Sequence, residues 1–170
     1  FFNLIRVQRV LMNKNNEERV QWVYSSKNNS ELSERYDEWA KDYDKDLSEF
    51  FGWIAPKTAS SYLAKYVNPD STVLDAGAGT GLVGLALAEH GFRNLTAMDL
   101  SAGMLQEARG KNVYKKLDQM VLGGPLGYKT DSFDAVISVG VMTLGHAGPN
   151  SFNELLRITK PEGYIVFTIR

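Results

Sequence analysis

The run Val73-Leu74-Asp75-Ala76-Gly77-Ala78-Gly79-Thr80-Gly81-Leu82-Val83-Gly84 decides the fold. Thr72, Val73 and Leu74 are β-prone and lead into the carboxylate of Asp75. Three glycines follow at alternate positions. Leu82, Val83, Leu85, Ala86, Leu87 and Ala88 then suit a buried helix. The order reads strand, glycine turn, helix. Glycine lacks Cβ, so its backbone turns sharply and lies close against a ligand. A helix start adds unpaired N–H groups and a positive dipole end. Asp75, at the strand end, accepts hydrogen bonds from a cationic or hydroxyl group. Together these make a cradle for a nucleotide-like ligand.

Downstream, the alternation continues. Leu95 to Leu100 reads as a second strand ending in Asp99, 18 residues beyond Gly81. In a Rossmann-type βαβ unit an acid at that strand end can hold both ribose hydroxyls. Ser101 caps a helix carrying Met104, Leu105 and Ala108. Lys116 to Leu122 is a weaker third strand, turned by Gly123-Gly124-Pro125. Phe133 to Val139 is nearly continuous in apolar residues, as in a parallel sheet covered on both faces. Val141 to Pro149 reads as a loop holding His146, and Phe152 to Thr159 as a helix with Phe152, Leu155, Leu156 and Thr159 on one side. Lys160-Pro161-Glu162-Gly163 turns the chain into a fifth strand, Tyr164 to Ile169. The fold class is therefore α/β: a Rossmann-like open parallel sheet with helices on both faces and five strands.

Upstream, Phe1 to Leu11 is apolar and basic and reads as a tail, with Met12 a natural start. Glu17 to Tyr24 predicts a short helix with Val20, Val23 and Tyr24 on one face. Ser30 is the expected N-cap of the next helix. Its stripe is Leu32, Tyr36, Trp39, Ala40 and Tyr43, with Glu34, Glu38 and Lys41 off it. Trp39 reads as core packing. Tyr36 and Tyr43 read equally as core or as a ligand lid, because a phenol offers a flat face and a hydroxyl. A further helix begins at Pro56, with Ala59, Tyr62, Leu63 and Tyr66 or Val67 as its apolar face. Residues 1–29 are thus expected to be a partly mobile tail and short helix, and 30–170 the main domain.

Composition narrows the function. The 170 residues are 44% hydrophobic and 23% charged, enough for one globular domain. Lys+Arg number 19 against 20 Asp+Glu, a net charge of −1, which gives no footprint for nucleic acid or an acidic membrane. No apolar run is long enough to span a bilayer. There is no cysteine, which excludes thiolate metal sites and cysteine nucleophiles and fits a cytoplasmic setting.

Two registers compete for the glycines. Gly79-Thr80-Gly81-Leu82-Val83-Gly84 satisfies the dinucleotide pattern GxGxxG. Asp75-Ala76-Gly77-Ala78-Gly79-Thr80-Gly81 satisfies acid-x-Gly-x-Gly-x-Gly, and needs the strand to stop at Leu74 so that Asp75 opens the turn. In the second register, Tyr36 to Arg170 resembles the class I S-adenosylmethionine-dependent methyltransferases. The matching pieces are Val73 to Gly81, Ala97-Met98-Asp99-Leu100-Ser101 with Met104-Leu105, Phe133 to Ile137, and Lys160 to Gly163. Within that family, Tyr36-Asp37-x-Trp39-Ala40-x-x-Tyr43-Asp44 with Ser138-Val139-Gly140 resembles the methyltransferase-like proteins.

The resemblance implies a cofactor, S-adenosyl-L-methionine, and roles for named residues. Gly77, Gly79 and Gly81, with Thr80 between them, lie against its methionine half, and Asp75 holds the ammonium end. Asp99 takes the ribose hydroxyls, and Leu100 and Met104 flank the adenine. The backbone of Leu122 and Gly123 faces the adenine edge, where many relatives carry an acid that this chain lacks. Val139 and Gly140 lie near the methyl donor, and Tyr36 and Tyr43 close the pocket. His146 is the candidate base, or else an exposed loop histidine. The implied activity is methyl transfer to a small molecule or a protein side chain, with no nucleic acid, membrane or metal partner. No Asn/Asp-Pro-Pro-aromatic run follows strand four, unlike methylases of adenine or glutamine amino groups. The alternatives are a cofactor-binding protein with little catalysis and an NAD-dependent oxidoreductase. The family's sheet has seven strands, so the two C-terminal ones are expected to be missing from this chain.

Overall fold

The computed structural model describes residues 18–48, 52–143 and 147–169. A helix over 18–24, α1, is followed by α2 (Asn29–Asp46) and α3 (Ala55–Leu63). The chain then alternates through β1 (Thr72–Ala76), α4 (Leu82–Glu89), β2 (Asn94–Asp99), α5 (Ala102–Gly110) and β3 (Lys116–Gln119). It ends with β4 (Phe133–Met142), α6 (Ser151–Ile158) and β5 (Thr159–Ile169). The tail before α1, with Met12 and Glu17, lies outside the described residues.

The five strands form one sheet in the order β3-β2-β1-β4-β5, with every neighbouring pair parallel. Alternation along the strands divides the core. Val73, Leu95, Ala135, Ile137 and Val139 face α3 and α4 and meet Ala59, Leu63, Val83 and Leu87. Leu74, Met98 and Val136 face the other way and meet Leu155 and Ile158 of α6. Both faces are covered, so the central strands carry apolar residues on each side. A third cluster lies above the sheet's carboxyl edge, where α1 and α2 bring Val23, Leu32 and Trp39 against Tyr24, Tyr36, Tyr43 and Leu100.

Several boundaries differ from expectation for local reasons. The N-cap of α2 is Asn28, whose side chain accepts the Glu31 N–H at 2.9 Å, so Ser30 lies inside the first turn. β1 runs through Asp75 to Ala76, because Asp75 pairs with Ala97 and Ile137 on its two sides. Asp75 is thus a strand residue rather than the first residue of the turn. β3 stops at Gln119, since this edge strand is bonded on one side only. β4 runs beyond Val139 to Met142, with an irregularity between Ser138 and Met142 that carries Gly140 at φ 77°. Lys160 to Gly163 bulges within β5 between the pairs Phe133–Thr159 and Ala135–Tyr164. Tyr62 and Tyr66 are exposed, while Val67, four residues beyond the end of α3, is buried with Ala59 and Leu63. In α6, Leu155 and Ile158 face the sheet and Leu156 faces solvent.

Candidate functional site

The carboxyl ends of β1, β2 and β4 converge where the strand order reverses, the place at which open α/β sheets bind ligands. Two small adjoining cavities of about 60 and 40 Å³ lie there and share Gly77, Asp99, Leu100 and Val141. The first is also lined by Tyr36, Tyr43, Gly79, Met104, Val139 and Gly140. The second is also lined by Leu122. Ten of the fourteen residues expected around the cofactor therefore share one cleft.

The other four lie behind it. Asp75 is 1% exposed, and its carboxylate is turned under the glycine turn rather than into the cleft. Its Oδ2 accepts the Tyr114 hydroxyl at 2.6 Å, and its buried Oδ1 has no hydrogen-bond partner. The same Tyr114 oxygen accepts the Gly84 N–H at 3.0 Å, in the first turn of α4. A Cβ at Gly84 would lie 2.3 Å from the phenol, so that position must be glycine for the ring to fit. Burial pushes the Asp75 carboxyl up to about 7, against the opposing hydrogen bond from Tyr114. Thr80 is buried, and its hydroxyl donates to Asp44 of α2. Gly81 backs onto Tyr114 and Ala108, and Gly123 lies beyond Leu122. Sequence reasoning missed Tyr114, which sits in an irregular stretch before β3 with no pattern around it.

Asp99 closes β2 at the centre of the cleft and is 6% exposed. Its Oδ2 accepts the Gly79 N–H at 2.8 Å and its Oδ1 the Ser101 N–H at 2.9 Å. An ionised carboxylate has about four lone-pair sites, so acceptor capacity remains there for a hydroxyl donor. Burial raises its pKa, and the backbone donors oppose that shift. Gly77 is fixed by contact. Its φ is 78°, and a Cβ there would fall 2.3 Å from Val141 Cγ2. This combination of a diol acceptor and a side-chain-free backbone fits the cofactor implied by the sequence.

The lid is α2. Asp37 Oδ1 accepts the Ser101 hydroxyl at 2.5 Å and the Gly103 N–H at 2.7 Å, at the start of α5. Asp44 accepts from Thr80 and forms an ion pair with Lys111 at 2.7 Å. The two carboxylates are seven residues apart, so one helix face carries both. Tyr36 and Tyr43, each just before one of these acids, lie over the cleft with their rings 6.3 Å apart. Trp39 packs within this group at 4.8 Å from Tyr43, its indole N–H donating to Asp46 at 2.8 Å. The candidate base His146 lies outside the described residues. Among the described residues there is no cluster of metal-ligating side chains, and no helix is long and apolar enough to cross a membrane.

Comparison with known proteins bears on this arrangement. The family model described as a methyltransferase domain matches residues 74–167. Methyltransferase-like protein 27 of Homo sapiens is 38% identical over 139 residues, covering 79% of this chain and 56% of that protein. A solved methyltransferase of Haloferax volcanii, in complex with a methyltransferase activator, superposes with a TM-score of 0.64 at 29% identity. That match covers 76% of this chain and 57% of the other. A protein of Methanococcus maripaludis, assigned as S-adenosyl-L-methionine-dependent, superposes with a TM-score of 0.66 at 21% identity, covering 78% of this chain and 63% of that one, and so speaks to the fold. The chain spans about half the length of the first of these relatives. With the family model spanning more than half of the chain, and a fold and relatives that agree, the chain belongs to the class I S-adenosylmethionine-dependent methyltransferase family.

Proposed function

We propose that this chain binds S-adenosyl-L-methionine in the cleft over β1, β2 and β4 and directs its methyl group to an acceptor. The observation that carries this reading is Asp99, a buried carboxylate at the end of β2 with lone pairs left for a vicinal diol. The ribose hydroxyls donate to Asp99. Gly77 and Gly79 bring bare backbone against the methionine half. Leu100, Met104 and Leu122 flank the adenine, with the Gly123 backbone beyond. Val139 and Gly140 border the reacting end, and Tyr36 and Tyr43 cover it. Asp75, Thr80 and Gly81 act from beneath, shaping the turn through Tyr114 and Asp44.

The bound cofactor supplies a methyl group already activated on a sulfonium. What this chain adds is alignment and exclusion of water. Holding two reactants in a near-attack geometry accounts for roughly 7–11 kcal/mol of a barrier in favourable cases.

Titration calorimetry with S-adenosylmethionine, S-adenosylhomocysteine and NAD tests the reading. The two sulfur ligands are expected to bind and NAD is not. Binding of NAD alone overturns the proposal. Asp99→Ala is expected to weaken S-adenosylmethionine by at least about tenfold, or ~1.4 kcal/mol, with the far-ultraviolet spectrum unchanged. Unaltered affinity in that variant removes the ribose role.

A further inference from the structure

Beside the cofactor cleft lies a cavity of about 330 Å³, within the size range of small-molecule sites. The two share Tyr36, Tyr43 and Gly140, so they open on the same point. Its walls are aromatic and apolar. Trp39 stacks on Tyr36 with planes 7° apart and meets Tyr43 edge-on. Trp53 forms the opposite wall, seated on Gly140. A Cβ there would lie 3.1 Å from Trp53 Cζ2, on a backbone at φ 77°. The Gly140 N–H donates to Thr168 Oγ1 at 2.8 Å, which holds the bulge of β4 against β5. Among the described residues, no Asp, Glu, Lys, Arg or His lines the cavity.

We propose that this aromatic cavity is the acceptor site, and that the acceptor is a flat, uncharged heteroaromatic amine of the pyridine or quinoline type. This rests on the cofactor reading above and names the substrate class for it. In the transfer, the ring nitrogen's lone pair forms the new bond to the methyl carbon. The carbon–sulfur bond breaks, and its electron pair returns to sulfur. The positive charge passes from sulfur to nitrogen, and no proton has to leave. Aromatic faces attract a cation, so walls of Trp53, Tyr36 and Tyr43 favour that charge movement.

Other acceptor classes fit less well. A phenol or an alkyl ammonium must first lose a proton, and no described lining group is a base. Tyr36 and Tyr43 do not serve, since burial raises both phenols. Burial and the neighbouring Asp99 charge push the Tyr43 phenol further above its ordinary value, so it stays protonated. A carboxylate acceptor finds no cationic side chain among the described lining residues, and it meets the field of the neighbouring Asp99. Burying an unpaired anion is costly.

The test uses the whole chain and four probes: quinoline, N-methylquinolinium, 2-naphthol and 1-naphthoate. Binding is read from tryptophan fluorescence and calorimetry with and without S-adenosylhomocysteine. Methylation is read by mass spectrometry with S-adenosylmethionine. N-methylquinolinium and quinoline are expected to bind and 1-naphthoate is not. Trp53→Leu is expected to weaken N-methylquinolinium by about fivefold or more, to weaken quinoline less, and to leave S-adenosylmethionine affinity unchanged. Tyr43→Leu is a second arm that loses the cation in the same way. Quinoline is expected to be N-methylated with KM raised in Trp53→Leu. Tighter binding or faster methylation of 1-naphthoate or 2-naphthol overturns the proposal, as does cation affinity unmoved by both substitutions. Loss of S-adenosylmethionine binding in the unsubstituted chain instead overturns the cofactor reading, because cation binding to the cavity is measured without the cofactor.

Discussion

At the scale of single residues, the buried acid at the base of the turn is the most distinctive feature. Asp75 keeps its proton in the folded chain up to about 7, while in the unfolded chain it ionises near the ordinary carboxylate value of 3.8. The folded state therefore binds more protons than the unfolded state across that interval, and stability falls as pH rises from about 4 to about 7. Urea denaturation of the cofactor-free chain is expected to show this decline, and Asp75→Asn is expected to flatten it. Tyr114→Phe removes the donor that favours the carboxylate, so the decline is expected to extend to higher pH. Parallel pH profiles for the unsubstituted chain and Asp75→Asn would remove Asp75 as the cause. The acid itself was legible in the sequence, because it stands two residues before Gly77. Its direction was not. A strand residue's face is set by pairing on both sides, and the partner that captures it comes 39 residues later in an irregular segment.

At the scale of elements, α2 lies over the cleft, and the proposed function makes it a lid. Beneath it the cofactor cleft comprises cavities of about 60 and 40 Å³, adjoining the one of about 330 Å³. On the proposed reading, cofactor entry lifts α2, and two of its carboxylates tie it to the rest of the fold. Asp37 ties it to the start of α5 and Asp44 ties it to Thr80 and Lys111. Hydrogen bonds to a charged partner contribute about 1.5–3 kcal/mol each. Replacing both residues with Ala is expected to speed cofactor release at least about tenfold in stopped-flow measurements. The far-ultraviolet spectrum should remain unchanged. Release at the unsubstituted rate would show that α2 is not the barrier. The helix and its aromatic stripe were readable from periodicity, since Leu32, Trp39 and Ala40 are buried as expected. The latch was not, because a three- or four-residue repeat reports which face is apolar and is silent on which acids on the flanks find distant donors.

At the scale of the whole molecule, the sheet order β3-β2-β1-β4-β5 puts the glycine turn beside the line where chain direction through the sheet reverses. The strand alternation implied an open parallel sheet with helices on both faces, while the order of the strands comes from the structure. One consequence is that the candidate cleft draws on both halves. Asp99 and Leu100 belong to the β2 side, Val139 and Gly140 to the β4 side, and Tyr36 and Tyr43 to the lid. A ligand that bridges all three binds only the assembled fold, so it shifts the unfolding equilibrium by mass action. At a hundredfold excess over Kd the gain is about 2.7 kcal/mol. For a domain of this size each kcal/mol corresponds to about 2–4 °C. S-adenosylhomocysteine at that excess is therefore expected to raise the melting temperature by about 5–11 °C, with α2 and the sheet melting in one transition. A rise confined to a later transition, with the α1–α2 aromatic cluster melting at its ligand-free temperature, would place the ligand on the sheet alone and remove the lid from the site. In the Asp37, Asp44 double variant the same ligand is expected to give a smaller shift, because the closed state that the ligand selects is then less populated.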